Sequence, residues 1–249
     1  MDLSFRKKDF NVSTPCALFV IKNFLNENKY QLLYKKFPGK EYFKNKKKNV
    51  AKDTFSSNSE NFVKFLQENS SWKEFYMNIN SENFVRKAYF ESLISNIKSR
   101  GLGALRIWSL RKRKSISRFF FREVQIKMNF SRIYESKKIF PHTDVPSKLM
   151  SMIYYFADDD WNNEMGGDTV FWKNKKNPKK WQNWENVHIN ENTLQNFLND
   201  NEIFHVTKFE PNKLVCFFKN KYSWHSVDQI NLKNDKIRKV LNIFIRTVN

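Results

Sequence analysis

His142-Thr143-Asp144, with one more histidine at position 225, is the residue set in this chain best suited to chemistry. Imidazole nitrogen and carboxylate oxygen suit ferrous iron, whereas a structural zinc site prefers more sulfur or nitrogen. Two histidines and one carboxylate fill three corners of an octahedron and leave the opposite three open for a cosubstrate, oxygen and chemistry. On an extended strand, residues two apart face the same way, so the spacing predicts that His142 and Asp144 reach one ion from a single strand. His225 lies in Tyr222-Ser223-Trp224-His225-Ser226-Val227, just after an apolar run that ends at Lys219, and a barrel would bring it to the same cavity. Of the four histidines, the other two have simpler readings. His188 sits in a polar segment as an exposed residue, and His205, in Ile203-Phe204-His205-Val206, reads as a strand residue near the core. Taken alone, the triad leaves a metal site and an ordinary hydrogen-bonded pair both open.

Arg238 follows His225 at the head of a second apolar run, Ile237-Arg238-Lys239-Val240-Leu241-Asn242-Ile243-Phe244-Ile245. A guanidinium fork there can pair bidentately with the far carboxylate of a dicarboxylate. In chain order stand Tyr134, His142, Asp144, Tyr154-Tyr155, Gly166-Gly167-Asp168-Thr169, Asn212-Lys213-Leu214-Val215-Cys216-Phe217, His225 and Arg238. From Tyr134 to Trp172 and from Pro211 to Ile245 this order resembles the iron(II)- and 2-oxoglutarate-dependent dioxygenases of the prolyl-4-hydroxylase-like branch. The resemblance implies iron(II) held by His142, Asp144 and His225, with 2-oxoglutarate as cosubstrate, O2 as oxidant and ascorbate as a candidate reductant. It also implies that Arg238 anchors the cosubstrate, with Tyr134 and Tyr155 as candidate partners of its carboxylate. Family members that halogenate lack the carboxylate ligand, so Asp144 implies hydroxylation, or another oxidation from the same intermediate, coupled to decarboxylation of 2-oxoglutarate to succinate. The implied substrate is a peptide side chain, prolyl-type, or a small amino-acid-like molecule.

Two features depart from the family pattern. The interval from His225 to Arg238 is long, so the turn Asn231–Asp235 must bulge. Arg246 lies eight residues beyond Arg238, an even number that puts both on one strand face. A nucleic-acid demethylase of the same superfamily is an alternative that the net charge of +20 would suit, and a non-catalytic metal-binding β-barrel is another. The lysines are scattered among asparagines, in clusters such as Lys44–Lys48, Arg111–Lys114 and Lys173–Lys180, without interleaved aromatics. That pattern fits a biased residue usage better than a base-stacking surface.

The elements that must position these residues fall in two halves. Pro15–Leu25 reads as a short buried strand turning at Asn23, and Asn26–Lys36 as an amphipathic helix stopped before Pro38-Gly39. Lys40–Asn58 is polar and reads as a surface loop. Phe62, Phe65 and Leu66 mark one helix face, and Phe84, Val85, Ala88, Tyr89, Leu93, Ile94 and Ile97 mark a longer one. From Ser117 the period changes to two: Val124, Ile126, Met128 and Phe130 alternate with polar residues. Leu149–Phe156, Asp168–Trp172, Lys213–Lys219 and Lys239–Thr247 follow as strands. This order predicts an α+β fold, a double-stranded β-helix (jelly-roll) barrel braced by N-terminal helices. We expect one oxygenase domain over 1–249, with helical support in 1–116 and the jelly-roll core in 117–249. An insertion at about 174–212 would carry a helix Glu191–Leu198, and Trp181–Asn201 would form part of the barrel mouth.

With 40% apolar residues and 25 phenylalanines, the chain has material for a core. Met1–Asp9 holds no apolar leader, and no run reaches the roughly 18 apolar residues of a membrane span. Cys16 and Cys216, the two cysteines, fit reduced thiols in a cytoplasmic protein. The oligomeric state is left open.

Overall fold

The computed structural model describes residues 8–43, 52–100, 105–111, 120–176, 190–233 and 236–248. The lysine cluster Lys44–Lys48, most of Arg111–Lys114, and Trp181, Trp184 and His188 lie outside the described residues.

Two antiparallel sheets form the barrel. The larger runs in the order β1 (Phe10–Val12), β2 (Leu18–Ile21), β10 (Leu214–Phe218), β7 (Lys148–Tyr155), β12 (Arg238–Thr247), β5 (Phe121–Ile133) and β3 (Lys52–Ser56). A short parallel strand, β4 (Ile107–Ser109), pairs with the start of β5. The smaller sheet runs β6 (Lys137–His142), β11 (Trp224–Ile230), β8 (Thr169–Asn174) and β9 (Asn201–Thr207). This is the expected α+β jelly roll.

Alternation along β12 shows how the sheet is used on both sides. Leu241, Ile243 and Ile245 belong to an apolar cluster shared with the N-terminal helices. Val240, one position out of phase, belongs to a second cluster with Tyr155, Phe171 and Phe217 inside the barrel. Helices α1 (Glu27–Lys35), α2 (Asn61–Glu68), α3 (Ser70–Ile79) and α4 (Glu82–Arg100) supply Tyr30, Phe65, Trp72, Phe75 and Tyr89 to the outer cluster. Trp72 stands edge-on to Phe130 of β5 at 4.8 Å and donates its indole N–H to the Lys36 carbonyl at 2.6 Å. Full burial of each such ring is worth roughly 1.5–3 kcal/mol, which makes this layer the main brace of the larger sheet.

Asn212 ties the N-terminal segment to the core. Its φ of 53° is left-handed, a conformation asparagine tolerates better than most residues. Its side chain accepts from the Leu25 N–H at 3.0 Å and from the Tyr154 hydroxyl at 2.7 Å, and donates to the Leu25 carbonyl at 2.8 Å.

Three elements differ from the expectations above. Lys40–Asn58 is not loop throughout, because Lys52–Ser56 is strand β3 at the edge of the larger sheet. Ser70–Ile79 is a helix that the sequence reading passed over, although Trp72, Phe75 and Ile79 lie on one face of it. The insertion is also shorter than expected: α5 (Glu191–Asp200) packs Phe197 on Trp172 and Trp224, but Asn201–Thr207 is strand β9 of the smaller sheet. His205 is half-buried on β9 and stacks on Phe10 at 3.8 Å, a structural position.

Candidate metal centre and cosubstrate pocket

β6 and β11 run antiparallel with His142 directly opposite His225, and their rings lie 4.3 Å apart, tilted by 52°. Each ring is oriented by its own strand. His142 Nδ1 faces the Phe140 carbonyl at 2.9 Å, and His225 Nδ1 faces the Ser223 carbonyl at 3.0 Å. A carbonyl can only accept, so both Nδ1 atoms carry the proton and Nε2 is the nitrogen each ring can offer to a metal. Burial lowers the pKa of His225 below its ordinary value although Asp144 pulls the other way, which favours the neutral, ligating form.

Asp144 lies beyond the end of β6, in the connection to β7, and not on the strand with His142 as the spacing suggested. The convergence holds nonetheless: the ligand atoms of His142, Asp144 and His225 all lie within 4.8 Å of one another. Burial alone would raise the Asp144 carboxyl, but His225, the Lys148 ammonium and the Ser151 hydroxyl outweigh it and hold the group at about 2. Asp144 accepts from Lys148 through one oxygen and from Ser151 through the other. Lys148 also sits over the Phe244 ring, 3.7 Å from its centroid. Two Nε2 lone pairs and an ionised carboxylate converging on one point fit a divalent iron.

Arg238 heads β12, opposite Ile133 of β5, and is 2% exposed. Its Nε donates to the Gly167 carbonyl at 2.9 Å, and the guanidinium lies 4.5 Å from the Phe209 ring centroid and 5.8 Å from that of Tyr155. One terminal nitrogen, Nη2, is buried with no hydrogen-bond partner among the described residues. Burial lowers this guanidinium to about 10, with Tyr155 and Asp168 opposing, so it is charged at neutral pH. A buried charged donor left unpaired is costly, and a carboxylate supplies what is missing.

The Gly166-Gly167 turn makes room for this arginine. Both residues have left-handed φ, 61° and 80°, and a Cβ on Gly167 would stand 3.0 Å from Arg238 Nε. Tyr155 is fully buried beside Arg238 and donates to Thr169 Oγ1 at 2.5 Å. Burial raises its phenol well above the usual range, so it is a neutral donor.

Tyr134 departs from expectation. It is 39% exposed and its hydroxyl lies 3.5 Å from Asp53 Oδ1. Ile133 is the residue opposite Arg238, so strand alternation turns Tyr134 to the other side of the sheet, where Asp53 pairs in register with Arg132. Arg246 does share the face of Arg238, but eight residues separate them by roughly 26 Å of extended chain. Its guanidinium donates to Ser147 Oγ at 2.7 Å. Sequence reasoning missed Lys148 and Ser151 at the carboxylate and Phe209 at the guanidinium. Only Lys148 carried a signal, as a cation four residues from Asp144.

A family profile described as the 2OG-Fe(II) oxygenase superfamily matches residues 128–246, the stretch that contains the triad, the glycine turn and Arg238. This segment belongs to that superfamily. The match indicates a dioxygenase that uses iron(II), 2-oxoglutarate and O2. No curated protein matches the chain. Among solved structures, a Pseudomonas putida prolyl-4-hydroxylase aligns with TM-score 0.49 at 10% identity over 94% of each chain. A Trichoplax adhaerens prolyl hydroxylase, solved with a hypoxia inducible factor peptide, aligns with TM-score 0.47 at 13% identity over 92% of this chain and 83% of its own. The viral collagen prolyl hydroxylase of Paramecium Bursaria Chlorella virus-1 gives 0.43 at 12% identity, over 93% and 96%. Membership of the superfamily rests on the matched segment and not on these likenesses. Among the described residues of this oxygenase, no helix is long and apolar enough to cross a membrane.

Proposed function

We propose that this oxygenase is a hydroxylase in which His142, Asp144 and His225 hold iron(II), and Arg238, beside Tyr155, receives the far carboxylate of 2-oxoglutarate. The observation that carries the reading is the pairing of three converging ligands with a buried, unsatisfied guanidinium nitrogen. A metal-binding module has no need of the second. When bound, iron and 2-oxoglutarate supply the oxidising power, with succinate and CO2 as coproducts.

The protein's own residues orient and insulate. The Phe140 and Ser223 carbonyls fix both imidazoles with Nε2 inward. Lys148 and Ser151 keep Asp144 ionised and aimed at the ligand point. Phe209 and Tyr155 exclude water around Arg238, which strengthens its pairing with a carboxylate. We further read 1–249 as one oxygenase domain, since β1, β2 and β3 are strands of the same sheet as β12. The substrate class is a peptide side chain, prolyl-type, or a small amino-acid-like molecule.

The test is succinate release with iron(II), 2-oxoglutarate and ascorbate, with and without proline-containing peptides and free amino acids. Turnover that requires both His142 and Arg238 is expected. Failure of anaerobic, iron-loaded protein to bind 2-oxoglutarate would sink the reading.

A further inference from the structure

Lys52 opens β3 at the edge of the larger sheet. It pairs in register with Ile133 of β5, and Ile133 pairs on its other side with Arg238 of β12. Directly opposed residues on antiparallel strands share a face, so Lys52, Ile133 and Arg238 form one row across three strands on the barrel side. The Cα atoms of Lys52 and Arg238 stand two strand spacings apart, about 10 Å. Both side chains are long enough to meet a single group above Ile133.

The row is crowded with like charge. Lys137, at the head of β6, lies opposite Ile230, whose Cγ1 borders the same Gly167 position as Arg238. Arg238, Lys137 and Lys148 all repel the Lys52 ammonium, and burial together with these charges lowers it to about 8. The acids nearby are committed elsewhere. Asp53 lies on the far side of the sheet, towards Tyr134. Asp168 accepts from the Phe209 N–H at 2.9 Å and pairs with Lys208 at 2.8 Å. Lys52 makes no hydrogen bond or ion pair among the described residues. Arg238 Nη2 is likewise unpaired. Two unpaired cations on one sheet face, on opposite sides of Ile133, describe a site for an anion that both can touch.

We propose that Lys52 is a second cation for the far carboxylate of 2-oxoglutarate, approaching from β3 while Arg238 approaches from β12. This rests on the reading of Arg238 as the cosubstrate anchor. The physical consequence is selectivity for a cosubstrate with two carboxylates. The anion relieves the repulsion between Lys52 and Arg238 as well as pairing with each, and a 2-oxo acid without a second carboxylate gains neither.

The experiment is anaerobic calorimetry on the iron(II)-loaded protein with 2-oxoglutarate and with 2-oxopentanoate, which keeps the metal-chelating end and lacks the far carboxylate. Wild type is compared with Lys52→Met, Lys52→Arg and Arg238→Met. Lys52→Met is expected to weaken 2-oxoglutarate roughly tenfold, to leave 2-oxopentanoate unchanged, and to be largely rescued by Lys52→Arg. Without cosubstrate, Lys52→Met should melt no lower than wild type, because the charge removed is a repelled one. Unchanged 2-oxoglutarate affinity in Lys52→Met, or equal weakening of both ligands, would overturn the proposal. Arg238→Met separates the two claims: if it leaves 2-oxoglutarate affinity intact, the anchor reading itself fails, whatever Lys52 does.

Discussion

The two ends of the cavity are prepared in opposite ways. At the metal end the charges are balanced within the chain: both oxygens of Asp144 are occupied by Lys148 and Ser151, and both histidine Nδ1 atoms are held by backbone carbonyls. At the Arg238 end they are not, since Arg238 Nη2 is buried without a partner and the nearby Lys52 ammonium meets only like charges, those of Arg238, Lys137 and Lys148. The difference assigns stability to one end and ligand recognition to the other. The metal end can assemble before iron arrives, whereas the Arg238 end is completed only by an anion.

Removing Asp144 tests the first half of that contrast and should have the largest effect. Asp144→Ala leaves the Lys148 ammonium buried without its carboxylate, a loss of about 3 kcal/mol of stability in the metal-free protein. It also removes a ligand, so iron content after reconstitution and succinate release should both fall to background. Chemical denaturation and metal analysis measure the two. A stable Asp144→Ala protein that retains iron would break the comparison at its metal end.

Arg238→Met tests the other half, with a different signature. Loss of one partner of a buried charged pair costs roughly 2–5 kcal/mol, so 2-oxoglutarate affinity should fall by at least about thirtyfold. Iron affinity should hold, and metal-free stability should change by less than ~1 kcal/mol, because losing the Nε–H bond to the Gly167 carbonyl is offset by removing a buried charge whose Nη2 is unpaired. Parallel iron and 2-oxoglutarate titrations with a denaturation curve decide it. A large stability loss in the metal-free protein would mean that Arg238 is structural.

What could be read from the sequence follows the same division. The triad and Arg238 were legible because apolar runs whose period declares them frame or carry them: Asp144 precedes β7, His225 follows β10 and Arg238 heads β12. β3 was not legible. Lys-Asp-Thr-Phe-Ser has one apolar residue, Phe55, and becomes a strand only by pairing with β5. Lys52 was therefore hidden with it. Tyr134 was misplaced for a related reason: its position in the motif was visible, but the register that puts Ile133 opposite Arg238 is a property of the assembled sheet. β9 reads as strand around His205 but falls inside the expected insertion and not in the barrel, which concealed Phe209 as a wall of the Arg238 pocket.

Acid should also distinguish the ends. The Asp144 carboxyl is held at about 2 in the fold, below the roughly 3.9 of an unfolded aspartate. A depressed carboxylate contributes stability that is complete above its unfolded pKa and is lost as pH falls through its folded one. The metal-free protein should therefore lose on the order of 2 kcal/mol through this group between about pH 4 and pH 2. Asp144→Asn should start less stable and show a flatter acid limb over that window. Denaturation midpoints from pH 5 to pH 2 provide the check, and parallel acid limbs in the two proteins would show that Asp144 is not the group held down.

The smallest expected effect is the most local. Gly167 has φ of 80°, and a Cβ there would stand 3.0 Å from Arg238 Nε and 3.1 Å from its Cδ. Gly167→Ala therefore adds a backbone strain of about 1–2 kcal/mol and pushes the arginine off the Gly167 carbonyl that orients it. Nothing in that displacement reaches His142, His225 or Asp144, whose supports come from Phe140, Ser223, Lys148 and Ser151. The variant should thus bind iron as wild type does while its KM for 2-oxoglutarate rises several-fold, and 2-oxopentanoate should bind as before. If iron affinity and cosubstrate affinity fall together instead, the two ends are mechanically coupled through β8 and β11, and their independent preparation is wrong.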